Sequence, residues 1–253
     1  MPSKSDMFPL RLVDVHLAVI LLTRLPVPHL STAAFHRSAV AVWAYPIVGL
    51  VLALAACAAW TLAEMGGLPE TVQAGLVLGL MILFTGALHE DGLADSADGL
   101  WGGNDPERRL EIMKDSRIGS YGVIALIFGI GLRWSTLIAA GPWGFVAAAT
   151  LSRAVLPWMM AKGPYARPNG LAKSVGVPSS AMAWLAFGLG AGTAILCLGP
   201  LIGFAATGAA ALCCVCLRKL ARRKLDGVTG DILGATQNLS EIAVLIVVAA
   251  NLS

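Results

Sequence analysis

Charge is what this sequence has least of. Of its 253 residues only 13% are Asp, Glu, Lys or Arg, while 57% are hydrophobic, and the mean hydropathy is +0.76. Soluble domains carry about 25% charged residues. The remaining charges gather between long apolar runs, which excludes an ordinary soluble domain and defines an integral membrane protein. Patterned cysteine is missing too. Cys57, Cys197, Cys213, Cys214 and Cys216 all lie within apolar runs, with neither metal-site spacing to His nor a secreted disulfide framework. Cys213, Cys214 and Cys216 read as small packing residues. A net charge of +3 says little until its placement is known, and nothing points to nucleic acid. No signal peptide is expected: the apolar patch from Val15 to Leu22 is short, broken by Arg11, Asp14 and His16, and followed by no small-residue cleavage site. It reads as an interfacial or partly inserted helix ending at the stretch 22–28.

The apolar runs follow in order at Val40–Leu62, Thr71–Leu88, Gly119–Ala139, Pro142–Met160, Ala181–Leu198, Leu201–Leu217 and Asp231–Ala250. Several are just long enough for a hydrocarbon core of about 30 Å. The expected fold is an all-α, polytopic membrane helix bundle of about seven transmembrane helices plus the N-terminal interfacial helix. Gly-x-x-x-Gly spacing, as at Gly75 and Gly79 or Gly188 and Gly192, suits close helix packing.

Basic residues orient the bundle. Lys4, Arg11, Arg24 and Arg37 precede the first run. Arg108, Arg109, Lys114 and Arg117 follow the second, and Lys162, Arg167 and Lys173 follow the fourth. Arg218, Lys219, Arg222, Arg223 and Lys224 follow the sixth. The other connections hold no Lys or Arg, so the positive loops are expected in the cytoplasm, with the N-terminus inside and the C-terminus outside. Residues 1–253 are expected to form a single domain whose active-site loops, 89–118, 161–180 and 218–231, face the cytoplasm.

On that side stands the most informative stretch, His89 to Gly99. Asp91, Asp95 and Asp98 are spaced i, i+4 and i+7, so a helix lines their carboxylates along one face. A solvated helix face would interleave Lys or Arg, whereas this one interleaves Gly, Leu, Ala and Ser. Such an oxygen-rich partial cage suits a hard divalent cation that keeps some of its waters, Mg²⁺ above all. A second acidic element, Lys224 to Asp231, enters the last run. Gly227 and Gly230 allow a tight turn there, and Asp231 is placed to cap the next helix. Asp226 has no such structural reason. Two acidic clusters ringed by Arg and Lys point to a metal-bound diphosphate, with carboxylates on Mg²⁺ and basic forks on the outer oxygens. Arg108, Arg109, Lys114, Arg117, Lys173, Arg222 and Arg223 are the candidates for the basic share.

These residues resemble a known family. The run from His89 to Leu100, followed by Arg108 to Gly122, is similar to the signature of the adenosylcobinamide-GDP ribazoletransferases, the cobalamin synthases. Leu22 to Pro28, the loop Pro164-Tyr165-Ala166-Arg167 with Gly170, and Asp226 to Asp231 fit the same pattern. Glu90 departs from it, since an apolar residue is usual there. The resemblance implies a bacterial or archaeal inner-membrane enzyme that completes the nucleotide loop of vitamin B12 and requires Mg²⁺. Its substrates would be adenosylcobinamide-GDP and α-ribazole or its 5′-phosphate, and its products the cobalamin (phosphate) and GMP. The ribazole 3′-hydroxyl would attack the phosphorus that bears the aminopropanol linker. It further implies Asp91, Asp95 and Asp98 on Mg²⁺, with Asp226 and Asp231 completing the site or holding a second ion. Arg108, Arg109, Asp115, Arg117, Arg167, Lys173, Arg222 and Arg223 would serve the substrate. His89 and Asp91 are the candidate catalytic pair: an imidazole near pKa 6.5 accepts a proton at neutral pH more readily than a carboxylate held on a metal. Homo-oligomerisation, or a complex with other late enzymes of the pathway, is left open.

Two other enzyme classes fit less well. A CDP-alcohol phosphotransferase also uses membrane-border aspartates and Mg²⁺, but its motif has Arg after the Ala, where this chain has Asp95 after Ala94. An aromatic prenyltransferase wants Asn-Asp-x-x-Asp, which is absent. A cation or corrinoid transporter needs ionisable groups along a path between both faces. Only Arg133, Arg153 and Glu241 lie within the runs to provide them.

Overall fold

The computed structural model describes residues 10–252 apart from 162 and 168. Lys4 and Lys162 of the basic inventory therefore lie outside the described residues. The fold is all-α, as expected. Helix α1 (Leu12–Leu22) is followed by short turns, including α2 (Ser38–Ala41), that lead into α3 (Tyr45–Met65). Then come α4 (Glu70–Thr85), α5 (Leu88–Gly102), α6 (Pro106–Ile112), α7 (Ser120–Ala154) and α8 (Leu156–Ala161). The small α9 (Leu171–Val175) precedes α10 (Ser180–Leu225) and α11 (Gly230–Leu252).

By length and composition, four helical stretches can cross a membrane: Thr32–Met65, Ser120–Ala161, Ser180–Leu225 and Gly230–Asn251. The bent pair α4 and α5, turned by 85°, makes up to five. That is fewer than the seven expected, because α7 and α10 each carry two of the apolar runs in one long helix, and neither helix is straight. A straight 46-residue α10 would run about 69 Å, far beyond any bilayer core. It is broken at Gly199, whose φ of 75° only glycine adopts freely, and Pro200 begins the second arm. The arms fold back on each other: a Cβ on Gly203 would lie 2.7 Å from the Ile195 Cα. Helix α7 breaks likewise at Gly141, before Pro142. Arg133 and Arg153, 20 positions apart on α7, both reach Glu241, which a straight helix of about 1.5 Å per residue does not permit. Both breaks coincide with divisions between the apolar runs in the sequence.

The bend between α4 and α5 uses Gly86 and Ala87, both left-handed at φ 61° and 56°. The segment after α1 packs on this bend, where the Arg24 N–H donates to the Phe84 carbonyl at 2.9 Å. Helix α5 then runs along the first arm of α7 and across the start of α11. Gly92 faces Gly234 there: a Cβ on Gly92 would lie 2.8 Å from the Asp231 carbonyl oxygen and 3.0 Å from the Gly234 Cα. This backbone-to-backbone crossing brings the first acidic element beside the second.

Candidate active site

Asp91, on the first turn of α5, and Asp231, on the first turn of α11, open into one cavity of about 170 Å³. Its apolar walls come from α1, α3 and α8 through Leu21, Tyr45, Leu156 and Met160. Arg167 and Lys173 approach from the loop between α8 and α9 and from α9 itself. That loop is fixed by an isolated parallel bridge between Tyr165 and Val228. Within it, the Ala166 N–H donates to the Val228 carbonyl at 3.0 Å, and the Val228 N–H to the Pro164 carbonyl at 2.9 Å. The bridge holds Arg167 over Asp231, with Nη1 to Oδ2 at 3.0 Å.

Asp95 sits one turn beyond Asp91, half-buried, in the field of the Asp91, Asp231 and Asp98 carboxylates, with Arg167 as the nearby cation. Among the described residues neither the Asp91 nor the Asp95 carboxylate has a hydrogen-bond partner. With Arg167 paired to Asp231, Lys173 is the other cation at the cavity to set against the Asp91 and Asp95 carboxylates. Among the described residues no three acidic, imidazole or thiol groups converge closely enough to enclose a metal ion. That openness fits Mg²⁺, which usually keeps several waters and takes one or two carboxylates plus the substrate's phosphates.

Asp98, at the far end of this acidic face, is held by backbone amides. It is buried, and its two oxygens accept the backbone N–H groups of Gly119 (2.7 Å) and Gly122 (2.9 Å) at the start of α7. It thereby satisfies amide donors that a helix start otherwise leaves free. Asp231 does not cap α11: the Thr229 Oγ1 accepts the Ile232 N–H at 3.2 Å, which leaves the Asp231 carboxylate to Arg167. Asp226 is exposed, left-handed at φ 57°, at the end of α10, and is not part of the cavity wall.

The remaining basic candidates divide by location. Arg109 donates to the Lys224 carbonyl (3.0 Å) and to the Asn104 carbonyl (3.1 Å), tying α6 to the end of α10. Arg108 pairs with Glu111 at 3.0 Å on the surface. Arg117 pairs with Asp115 at 2.6 Å, and its guanidinium holds that exposed carboxyl down to about 2. Arg222 and Arg223 are exposed on the last turns of α10. None of these lines the cavity, in contrast to Arg167 and Lys173.

His89 belongs to the cavity wall but is only 3% exposed, and its Nε2 has no hydrogen-bond partner among the described residues. Beneath it lies a buried ionic network that the sequence showed only as scattered charges. Arg133 reaches Glu90 at 2.5 Å and Glu241 at 2.7 Å. Arg153 stands 3.7 Å from Glu241 and donates to the Ala149 carbonyl at 3.0 Å. Gln237 donates both to Glu241 (2.7 Å) and to Ser152 (3.0 Å). Two Glu and two Arg balance, joining α5, α7 and α11. The three residues that a transport path would need, Arg133, Arg153 and Glu241, are paired with one another instead. A close pairing of this kind could have been sought from their common helical depth, but the partner of each lies far away in sequence.

A bundle of apolar helices with carboxylates, an arginine and a lysine around one cavity defines a multi-pass membrane protein of enzyme type. The chain belongs to the Cobalamin-5-phosphate synthase family, whose model matches residues 14–249. It is 45% identical over 247 residues to the adenosylcobinamide-GDP ribazoletransferase of Bradyrhizobium diazoefficiens, covering 94% of each chain. It is 40% identical over 250 residues to that of Sinorhizobium medicae, covering 92% of this chain and 94% of the relative. Against that of Mesorhizobium japonicum it is 40% identical over 253 residues, covering 95% and 94%. No solved structure matches the chain. The chain is a transferase of cobalamin biosynthesis.

Proposed function

We propose that the chain transfers the cobinamide phosphate of adenosylcobinamide-GDP to α-ribazole or its 5′-phosphate and releases GMP. The observation that carries this reading is the meeting of Asp91 and Asp231 with Arg167 and Lys173 at one cavity, with Asp95 in the field of both carboxylates one turn along α5. A substrate diphosphate needs that combination: cations for its outer oxygens, and carboxylates for the Mg²⁺ that travels with it. One or two of the Asp91, Asp95 and Asp231 carboxylates would hold Mg²⁺ together with the substrate's phosphates, and the ion when bound would neutralise charge on the phosphate oxygens. Asp98 acts by fixing α7 against α5, and Asp226 stands outside this inner set.

The roles of the other groups follow from their positions. Arg167 presents a planar fork to phosphate oxygens, and Lys173 adds a mobile charge at the rim. The apolar wall of Leu21, Tyr45, Leu156 and Met160 excludes water from the reacting phosphorus. The ribazole 3′-hydroxyl oxygen forms the new P–O bond while the P–O bond to GMP breaks. His89 Nε2, buried in the wall without a partner, accepts the hydroxyl proton. We place the cavity on the cytoplasmic side of the inner membrane, in one domain spanning the chain, because the basic loops share that end.

Purified protein should release labelled GMP from adenosylcobinamide-GDP only when α-ribazole or its phosphate is present, and chelation of divalent cations should stop it. Turnover that survives chelation would remove Mg²⁺ from the reading, and transport without GMP release would replace it. His89→Gln should lower kcat by roughly 10²–10⁴-fold with little change in KM; an unchanged kcat would make His89 structural. Cysteine labelling at position 103 from outside the cell would overturn the orientation.

A further inference from the structure

Helix α8 has two working faces. Leu156 and Met160 wall the acidic cavity, whereas Trp158, with Val155 just before the helix, forms the floor of a second cavity of about 130 Å³. This second space is a groove between the two arms of α10. Trp184 and Phe187 contribute from the first arm, packed edge to face at 5.8 Å, and Ala211, Cys214 and Val215 from the second. Its walls are entirely apolar, and Trp184 is 58% exposed on its outer rim. Arg218 follows Cys214 by four residues and Val215 by three, so it continues the same helix face one turn beyond the groove. Its guanidinium carbon stands 5.5 Å from the centroid of the Trp158 ring. Arg222 and Arg223 extend the positive charge, exposed, toward the end of α10.

We infer that this groove holds an acyl chain of an anionic phospholipid whose phosphate is bound at Arg218. The stretch Ser180–Leu225 that forms both arms is apolar enough to cross a membrane, so the medium facing the groove is hydrocarbon. A linear apolar slot with a cation at one end matches one lipid molecule, tail and head together. A free phosphate would use Arg218 but not the aromatic walls. A second copy of the chain would cover the walls but set Arg218 against an equivalent cation-rich end. The lipid fixes Trp158, and through α8 it fixes Leu156 and Met160 in the wall of the acidic cavity; this last consequence rests on the transferase reading.

Native mass spectrometry of the full chain, released from nanodiscs of equal phosphatidylglycerol and phosphatidylcholine, tests the site. The wild type should retain phosphatidylglycerol several-fold over phosphatidylcholine, and millimolar inorganic phosphate should not displace it. Arg218→Gln should abolish the preference, and Ala211→Phe, which fills the groove, should abolish retention of both lipids. Equal retention by the wild type would overturn the site as ordinary boundary lipid, and displacement by phosphate would reduce it to a free-anion site. A dimer lost on Ala211→Phe would overturn it in favour of self-association. Should that variant fail to accumulate, a photoreactive diacyl phosphatidylglycerol on the wild type should label residues 184–187 and 211–215; labelling only elsewhere would overturn the proposal. GMP release should rise with phosphatidylglycerol in the wild type and not in Arg218→Gln. Retained lipid with no effect on release would break the link to the cavity, whereas no release in any lipid would count against the transferase reading alone.

Discussion

Glu90 and Asp91 are adjacent in the chain, yet they serve two contrasting polar regions. Asp91 faces an open cavity, where its carboxylate has no hydrogen-bond partner among the described residues and Asp231, Arg167 and Lys173 share the wall. Glu90 points the other way, into a buried cluster where two Glu and two Arg balance and the closest contacts are 2.5 and 2.7 Å. A helix turns by about 100° per residue, so one step along α5 moves a side chain from one environment to the other. Charge left unpaired in a cavity is available to a ligand; charge paired in the core holds helices together. The second region sets the geometry of the first, because Glu90 anchors the turn of α5 that carries Asp91.

The strongest way to break this contrast is to unbalance the core. Glu241→Leu leaves Arg133 and Arg153 facing each other with only Glu90, and should destabilise the protein by about 3–5 kcal/mol, seen as lost yield and a lower thermal midpoint in detergent. Arg133→Leu should behave similarly. Joining it to Glu90→Leu restores neutrality, since Glu241 and Arg153 remain, so the double variant should be more stable than Arg133→Leu alone. Additive losses in that pair would deny the network its charge balance.

Next in size, Asp91→Asn or Asp95→Asn should lower kcat/KM by about 10²-fold or more while the thermal midpoint holds. A large drop in midpoint with modest loss of activity would assign those residues to structure. Asp98→Asn probes the border between the regions. Losing part of the cap on α7 should cost about 0.5–2 kcal/mol, with turnover reduced far less than in the Asp95 variant. Equal collapse of turnover in both would return Asp98 to the metal set. The smallest effect is expected at the surface, where Arg117→Ala removes an exposed pair with Asp115. The thermal midpoint should be indistinguishable from that of the wild type, and substrate KM should stay constant; a raised KM would bring that loop to the substrate.

Much of this was legible beforehand, and the reasons are local. The spacing of Asp91 and Asp95 places them on one helix face wherever the helix sits, and Asp-Gly at 226–227 marks a turn whatever follows it. Asp98 obeys the same spacing and still faces the start of α7, because its partners are backbone amides 21 and 24 residues on, which no periodicity reveals. Arg167 and Arg108 looked alike in sequence; only the bridge from Tyr165 to Val228 separates a cavity residue from a surface one.

The sequence by itself determined the membrane class, the all-α fold, the acidic helix and the family resemblance. Each of these rests on composition or on spacings shorter than a few helical turns. The tertiary structure alone decided which charges meet. Glu90 joins Arg133 across 43 residues and Arg133 joins Glu241 across 108, through a crossing that Gly92 and Gly234 make close enough. Such pairings depend on how helices cross and where α7 and α10 fold back, and those are properties of packing that the order of residues along one helix does not contain.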